Sequence, residues 1–346
     1  MPLDSELSRL LTRTSLTYDE AHAAMLRMLA GEESAAQVAA LLTALRLKGE
    51  TAEEMAGLAA AMRSAMVRVA APLADGPVVD TCGTGGDGTG TFNISTVVAF
   101  VAAGAGVVVA KHGNRSITSR SGSADVLEAL GVRIDLTPSQ MELCLEQCGM
   151  AFLFAPALHP AMRHVGPVRK ALGFRTVFNL LGPLANPAGA PHQVIGVPSA
   201  EIARKMARAL HRLGTGRSLV VHGLDGLDEL TLSGESAVYE VSEKRVIYRK
   251  VSPADFGLTV APLAALAGGD AAENARMALR ILRGQELGAP RDVVVMNASA
   301  VLVACGVAAD WRAGVELAAA SIDGGAALGK VELLGRVSRE LVRGVQ

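Results

Sequence analysis

Aromatic side chains are scarce in this chain: one Trp, three Tyr and seven Phe among 346 residues. Proteins that hold single-stranded nucleic acid without reading its sequence stack bases on aromatic rings, and this composition offers little for that. An excess of charge is lacking too, with 33 Lys and Arg against 34 Asp and Glu, a formal net charge of −1. No global field therefore draws the chain to nucleic acid or to an acidic membrane, and the basic residues that matter must be local. No apolar run approaches the roughly 20 residues of a membrane span. Nothing at Met1-Pro2-Leu3-Asp4 reads as a signal peptide, so a cytoplasmic protein is expected. Four cysteines, at 82, 144, 148 and 305, fit a reducing cytosol. Cys144 and Cys148 lack further metal-ligand spacing and are expected as buried thiols.

The most informative absence is local. From Gly88 to Ala124 there is no Asp or Glu, while Lys111, Arg115 and Arg120 all lie inside. This stretch belongs to the segment 77–125, PVVDTCGTGGDGTGTFNISTVVAFVAAGAGVVVAKHGNRSITSRSGSAD. A short apolar strand at Val78-Val79 breaks into glycines, which let a backbone turn sharply and approach a ligand closely. Thr91, Asn93, Ser95 and Thr96 follow where the chain enters an apolar helix, Val97 to Ala103. A helix start has free N–H groups and a positive dipole end, so it suits an anion. A second strand, 107–110, runs into Lys111-His112-Gly113-Asn114-Arg115. The segment reads as a cradle for phosphate and pyrophosphate. Gly83-x-Gly85-x-x-Gly88 formally matches the dinucleotide fingerprint, but the acidic residue expected about 20 positions on is missing. A Walker loop would need Gly-Lys before Ser or Thr, which is also absent.

The chain is long enough for one large domain and a smaller one. Residues 1–70 read as helices, with capping boxes at Thr17/Glu20, Ser34/Gln37 and Thr51/Glu54 and stops at Gly31 and Gly49. Val38, Leu41, Leu42 and Leu45 form one apolar face. The stretch 71–77, APLADGP, reads as a hinge. From Val78 onward strands expected at 78–81, 106–110, 151–155, 193–197 and 218–222 alternate with helices. The fold class is therefore α/β, a mainly parallel central sheet with flanking helices plus a small all-α domain. Residues 157–185 carry Pro160, Pro167 and Pro183 and no strand, 235–250 reads as a hairpin, and the chain from Ala271 is helical.

GTGGDGTGTFNIST (83–96) and KHGNRSITSRSGSAD (111–125) resemble the two signature segments of the anthranilate phosphoribosyltransferase family. The resemblance continues through FLFAPALHPAMRHVGPVRKALGFRTVFNLLGPLANP (152–187) and GLDEL (226–230). It implies transfer of phosphoribose from phosphoribosyl pyrophosphate to the amine of anthranilate, with Mg2+, two ions per subunit, as cofactor. It also implies a homodimer formed through the N-terminal helices, and a discontinuous small domain, 1–72 plus about 160–186, against a large one of 73–159 plus 187–346. Neither nucleic acid nor membrane is an expected partner.

The site residues follow from the same resemblance. Gly83, Gly85, Gly86 and Asp87 are expected as a floor beside pyrophosphate and ribose, with Thr91, Asn93, Ile94, Ser95 and Thr96 at the helix start. Lys111, His112, Gly113, Asn114, Arg115, Ser116, Ile117, Thr118, Ser119 and Ser123 are expected to close over the phosphates, Lys111 and Asn114 stabilising the departing pyrophosphate together with the metal. Anthranilate is expected against Gly83, His112, Asn114, His159 and Arg169, the Arg169 guanidinium forking onto its carboxylate. Asp228 and Glu229, with the Ser95 hydroxyl, are the expected metal ligands, since Mg2+ prefers a few carboxylates plus substrate phosphates. Read alone, Asp228-Glu229 after Asp225-Gly226 is also a turn with solvated acids, Lys111 a surface lysine, and Arg169 a surface arginine. A pyrimidine nucleoside phosphorylase, using phosphate without the acidic pair, and a nucleic-acid-binding paralogue are the competing functions.

Overall fold

The computed structural model describes residues 3–72, 76–116 and 120–343. Four helices open the chain: α1 (Asp4–Leu11), α2 (Tyr18–Ala30), α3 (Ala35–Lys48) and α4 (Ala52–Ala65). The hydroxyls of Thr17, Ser34 and Thr51 each accept the backbone N–H three residues on, and Glu20, Gln37 and Glu54 reach back. These boxes satisfy donors that a helix start leaves free. Gly31 ends α2 in the left-handed region at φ +75, where an L side chain is strained. Val38, Leu41, Leu42 and Leu45 are buried as one stripe.

The remaining elements alternate. In order they are β1 (Val78–Gly83), α5 (Ile94–Gly104), β2 (Val108–Gly113), α6 (Ser123–Ala129), α7 (Pro138–Cys148), β3 (Met150–Phe154), α8 (Ala155–Leu158), α9 (Gly166–Leu172) and α10 (Phe178–Leu181). Then come β4 (His192–Gly196), α11 (Ala200–Leu213), β5 (Arg217–Gly223), β6 (Ser236–Ser242), β7 (Val246–Val251), α12 (Ala271–Leu282), α13 (Ala289–Ala304), α14 (Trp311–Asp323) and α15 (Ala326–Arg343). The strands form one sheet in the order β3-β2-β1-β4-β5-β6-β7. Pairs from β3 through β5 are parallel and the β5-β6-β7 meander is antiparallel. The second strand departs most from expectation: it starts at Val108 and pairs with β3 through Gly113 and Phe154. Lys111 and His112 are therefore strand residues, not loop residues.

Two apolar cores flank the sheet. One gathers α5, α7 and α12 to α15 around β1, β2 and β3, with Cys144 and Cys148 buried in it. The other joins the N-terminal helices to Val165, Val168, Val177, Phe178, Leu181 and Leu184 of the Pro-broken segment. The same core continues into α11 and into Ile195 and Val197 by the sheet, so the bundle is not a detached unit. The strand-free segment thus sits beside the carboxyl ends of the strands. The link after α4 is pinned as well: Val67 and Val69 N–H donate to the carbonyls of Leu158 and Pro187 at 2.8 and 3.2 Å. Part of the expected hinge, 73–75, lies outside the described residues.

Candidate active site at the β1–β4 crevice

In the order 3-2-1-4-5 the chain winds outward in opposite directions from the adjacent strands β1 and β4. A parallel sheet opens a crevice at the carboxyl ends of such a pair. Gly83 and Gly196 face one another there as the last register pair. A Cβ on Gly83 would lie 3.2 Å from Asp228 Oδ2, and one on Gly196 only 1.6 Å from the Asp228 carbonyl oxygen. Two glycines thus make room for the segment carrying Asp228 and Glu229.

Beyond Gly83 the loop passes through Gly85, Gly86, Gly88 and Gly90, all at positive φ. It is tied down where it rejoins the fold: Gly268 N–H donates to Gly90 O at 2.9 Å, and Thr91 bridges Ala267. Helix α5 then starts at Ile94, whose side chain is buried. Its first turn already holds a carboxyl group, since Ser95 N–H donates to Glu229 Oε1 at 3.1 Å. Asn93 is a brace: its amide donates to Ser121 O at 3.2 Å and its oxygen accepts from Asn274 at 2.9 Å. The Thr96 hydroxyl is buried and has no hydrogen-bond partner among the described residues. Of the helix-start residues, Ser95 is the one placed with the acids.

Asp228 and Glu229 are half-buried and face the glycine loop and the start of α5, unlike fully solvated turn acids. Burial, and then the neighbouring Asp87 carboxylate, push Asp228 up to about 7, against backbone N–H bonds from Gly85 and from Asp228 itself. Burial, and then Asp228, push Glu229 up to about 8. Asp87 turns toward them, accepting the Thr89 hydroxyl at 2.5 Å and Asp228 N–H at 3.4 Å. Like charges crowded out of water call for a cation. Among the described residues no three His, Cys, Asp or Glu side chains make a ready cage. A hard divalent cation that completes its shell with substrate phosphate and water fits this incomplete set.

Lys111 corrects an expectation. It is 1% exposed, and its ammonium donates to Thr81 O and lies 3.4 Å from Ser95 Oγ. It therefore sits beneath the floor instead of closing over it. Burial lowers its pKa, opposed by Asp80, Cys82 and Glu229. Asp80, buried in mid-strand and pushed up by burial, accepts His112 N–H at 3.0 Å.

Arg115 corrects another. Its guanidinium turns to α6, bonding Asp125 at 3.0 Å and Glu128 at 2.5 and 2.9 Å. The acid-free stretch ends just before Asp125, so the first acids available to Arg115 lie on the adjoining helix. Asp125 also takes the N–H groups of Ser116 and Gly122, at 3.2 and 2.9 Å. Asn114 is exposed, and the Ser123 hydroxyl donates to its carbonyl at 3.3 Å. Gly113 is closed in by Ser123 and Phe152. Ile117, Thr118 and Ser119 lie outside the described residues.

His112 and His159 meet in a buried contact, Nε2 to Nε2 at 3.3 Å, and His112 Nδ1 donates to Gly182 O at 3.1 Å. Burial lowers them to about 3 and about 4, so both are neutral near pH 7. Arg169, on α9, is half-buried with its guanidinium 5.0 Å over the Phe178 ring. Burial lowers its pKa, and that burial with the ring stacking distinguishes it from a solvated surface arginine; it makes no ion pair among the described residues.

Sequence reasoning missed Arg175, which donates to Thr84 O and Gly85 O at 3.2 and 2.8 Å. Its one signal was a basic residue set just before the apolar Val177-Phe178. It also passed over Asp80, an acid amid Val78, Val79 and Cys82, and Asn186, whose amide donates to Ala110 O at 2.9 Å. A separate cavity of about 490 Å3 opens beside Arg115, Arg133, Phe154 and Arg339, and includes neither the glycine loop nor the acid pair.

The model of the helical bundle domain of a glycosyl transferase family matches residues 6–66, and that of its a/b domain residues 75–328. An anthranilate phosphoribosyltransferase of Roseiflexus castenholzii is 54% identical over 98% of this chain and 99% of its own. The crystal structure of the Thermus thermophilus enzyme of that name superposes with a TM-score of 0.90 at 46% identity, covering 96% of this chain and 99% of the other. The Saccharomyces cerevisiae enzyme, solved in complex with PRPP and Mg, superposes at 0.89 with 31% identity and 98% coverage of each chain. Its structure with 4-fluoroanthranilate gives 0.86 at 30% identity, covering 97% of each. With family models matching across both of its parts and relatives that alike along nearly their whole length, the chain belongs to the anthranilate phosphoribosyltransferase family.

Proposed function

We propose that the protein transfers phosphoribose from phosphoribosyl pyrophosphate to the amine of anthranilate, giving N-(5-phosphoribosyl)anthranilate and pyrophosphate. This is the second step of tryptophan biosynthesis from chorismate. The observation that carries the reading is the meeting of the glycine loop with the Asp228–Glu229 segment at the β1–β4 crevice, where Gly85 N–H reaches the Asp228 carboxyl and Asp87 accepts the Asp228 N–H. A bond forms from the anthranilate nitrogen to the anomeric carbon while the bond to pyrophosphate breaks. The electron pair leaves with pyrophosphate and the amine gives up a proton. The chain's task is to position both partners and stabilise the leaving group.

The donor lies along Gly83, Gly85, Gly86, Asp87 and the start of α5, with Asn114 and, Arg115 apart, the segment to Ser123 as its cover. Asp228, Glu229 and the Ser95 hydroxyl hold Mg2+, two ions per subunit; bound, Mg2+ neutralises charge on the pyrophosphate. Lys111 acts from below, as a fixed charge under Ser95 and Glu229. Arg169 takes the anthranilate carboxylate, with Gly83 and Asn114 nearby and the neutral His112–His159 pair shaping the wall. An aromatic amine is nearly neutral and does not need either histidine as a strong base.

The small domain comprises 1–72 plus about 160–186, a division that the core shared by α2 to α4 and the Pro-broken segment supports. Leu11 and Leu47, 72% and 79% exposed on the first helices, support a homodimer through that region. The protein is cytoplasmic; among the described residues no helix is long and apolar enough to cross a membrane. Anthranilate fluorescence, followed on adding phosphoribosyl pyrophosphate and Mg2+, tests the reading. It should fall with both present and persist with either omitted. Thymidine or uridine phosphorolysis without metal would replace this reading with a phosphorylase.

A further inference from the structure

One basic side chain on the crevice takes no part in holding donor, acceptor or metal. Arg175 lies between α9 and α10, in the segment whose apolar residues belong to the helical core, yet its guanidinium crosses to the glycine loop. One nitrogen, Nη2, donates to both Thr84 O and Gly85 O. A Cβ on Gly86 would fall 1.5 Å from Nη1, so the guanidinium rests directly on the Gly86 backbone. The gripped loop bends over the acids: Gly85 N–H reaches the Asp228 carboxyl, and Asp87 accepts the N–H of Asp228. Asp228 and Asp87 both attract Arg175, but among the described residues it forms no ion pair with either. A guanidinium spent on two main-chain carbonyls, within the field of Asp228 and Asp87, occupies ground that a metal–phosphate complex would contest.

We propose that Arg175 is a positioning residue that stands in for the metal over the acidic floor, clamping the glycine loop onto Asp228 until the metal and donor displace it. The proposal rests on the donor-binding reading and deepens it. Arginine suits the task because it stays charged under all conditions and the two hydrogens of Nη2 are fixed in the guanidinium plane, where an ammonium turns freely. Because Arg169 lies on the same short segment, loosening of Arg175 by the donor reaches the acceptor side of the crevice directly.

Titration of the protein with Mn2+ alone, without donor, reads the competition. Arg175→Gln removes the competing charge and should tighten Mn2+ at least roughly tenfold, the scale for a unit charge and a divalent ion about 6 Å apart even at the dielectric of bulk water. Arg175→Lys keeps the charge and should bind Mn2+ within a few-fold of wild type, while amide exchange at 84–88 quickens because the fixed pair of Nη2 donors is lost. Unchanged or weaker Mn2+ binding in Arg175→Gln would overturn the proposal, and so would unchanged loop exchange in Arg175→Lys. If Arg175→Gln does not fold, the Lys variant's exchange carries the test alone. Asp228→Asn, made alongside, separates the two readings. Should it leave Mn2+ binding intact, the metal assignment fails and the proposal with it; should it weaken Mn2+ while Arg175→Gln changes nothing, only the role of Arg175 fails.

Discussion

The carbonyl of Asp228 occupies the space in which a side chain at Gly196 would begin, 1.6 Å from the ideal Cβ position. Gly196 itself has ordinary negative φ among the described residues, so it is glycine for room and not for conformation. Gly196→Ala should push the Asp228-Glu229 segment off β4. The expected cost is about 1–3 kcal/mol of stability, with a raised Mg2+ requirement. A variant with wild-type melting and wild-type Mg2+ dependence would show that the segment has other room to settle.

Arg169 separates handling of the acceptor from handling of the donor. Arg169→Ala should remove a charge-assisted bond worth on the order of 1.5–3 kcal/mol, roughly 10- to 150-fold in apparent affinity for anthranilate. Binding of phosphoribosyl pyrophosphate with Mg2+, measured by calorimetry, should stay within a few-fold of wild type. Arg169→Lys should recover part of the loss, since the ammonium keeps the charge without the fork. Loss of the donor with anthranilate unaffected would move Arg169 to the phosphate side.

Lys111 and Asp80 are both buried under the floor. Lys111→Met leaves Asp80 without its nearest cation and should cost about 3 kcal/mol or more. The double variant Lys111→Met/Asp80→Asn should recover much of this, because the uncompensated acid is gone. Thermal unfolding of the three variants measures it. Full stability of Lys111→Met alone would mean that Asp80 is carried neutral without help from the lysine.

The histidine pair makes a prediction with a definite sign. Burial holds His112 at about 3 and His159 at about 4, both below the ordinary histidine value of 6.5. The unfolded chain takes up protons below about 6.5 while the folded one does not. Stability from keeping the pair neutral is therefore full above that value and is lost as pH falls through it toward 3–4. His159→Gln should flatten the drop in melting temperature between about pH 6.5 and 4. Asp228 and Glu229, at about 7 and about 8, titrate near neutral pH, so only a rate inflection between about pH 6 and 8 that His159→Gln abolishes would restore a proton-transfer role to the pair.

Much of this protein could be read along the chain because the signals were local. A capping box spans four positions, and the boxes at Thr17, Ser34 and Thr51 close within a single helical turn. Strand and helix alternation from Val78 pointed to the parallel sheet, and the long motifs to the family. Where a residue's surroundings depend on how separate elements pack, they could not be read along the chain. Lys111 looked like a loop cation because its burial is decided by β3 pairing through Gly113. Arg115 looked like a phosphate ligand because Asp125 and Glu128 fall beside it only once α6 packs.

By itself the sequence determined which residue types were available at which stations: glycines that permit a tight loop, an acid-free stretch, an adjacent acidic pair, a basic residue in a Pro-broken segment. Only the tertiary structure decided what each of them faces. Strand order made β1 and β4 neighbours, which brought Gly83 to Gly196 and left room for Asp228. Burial then raised the acids into the neutral range and lowered the histidines out of it. Burial is a property of the packed whole, since the water excluded from one side chain is excluded by residues far away along the chain.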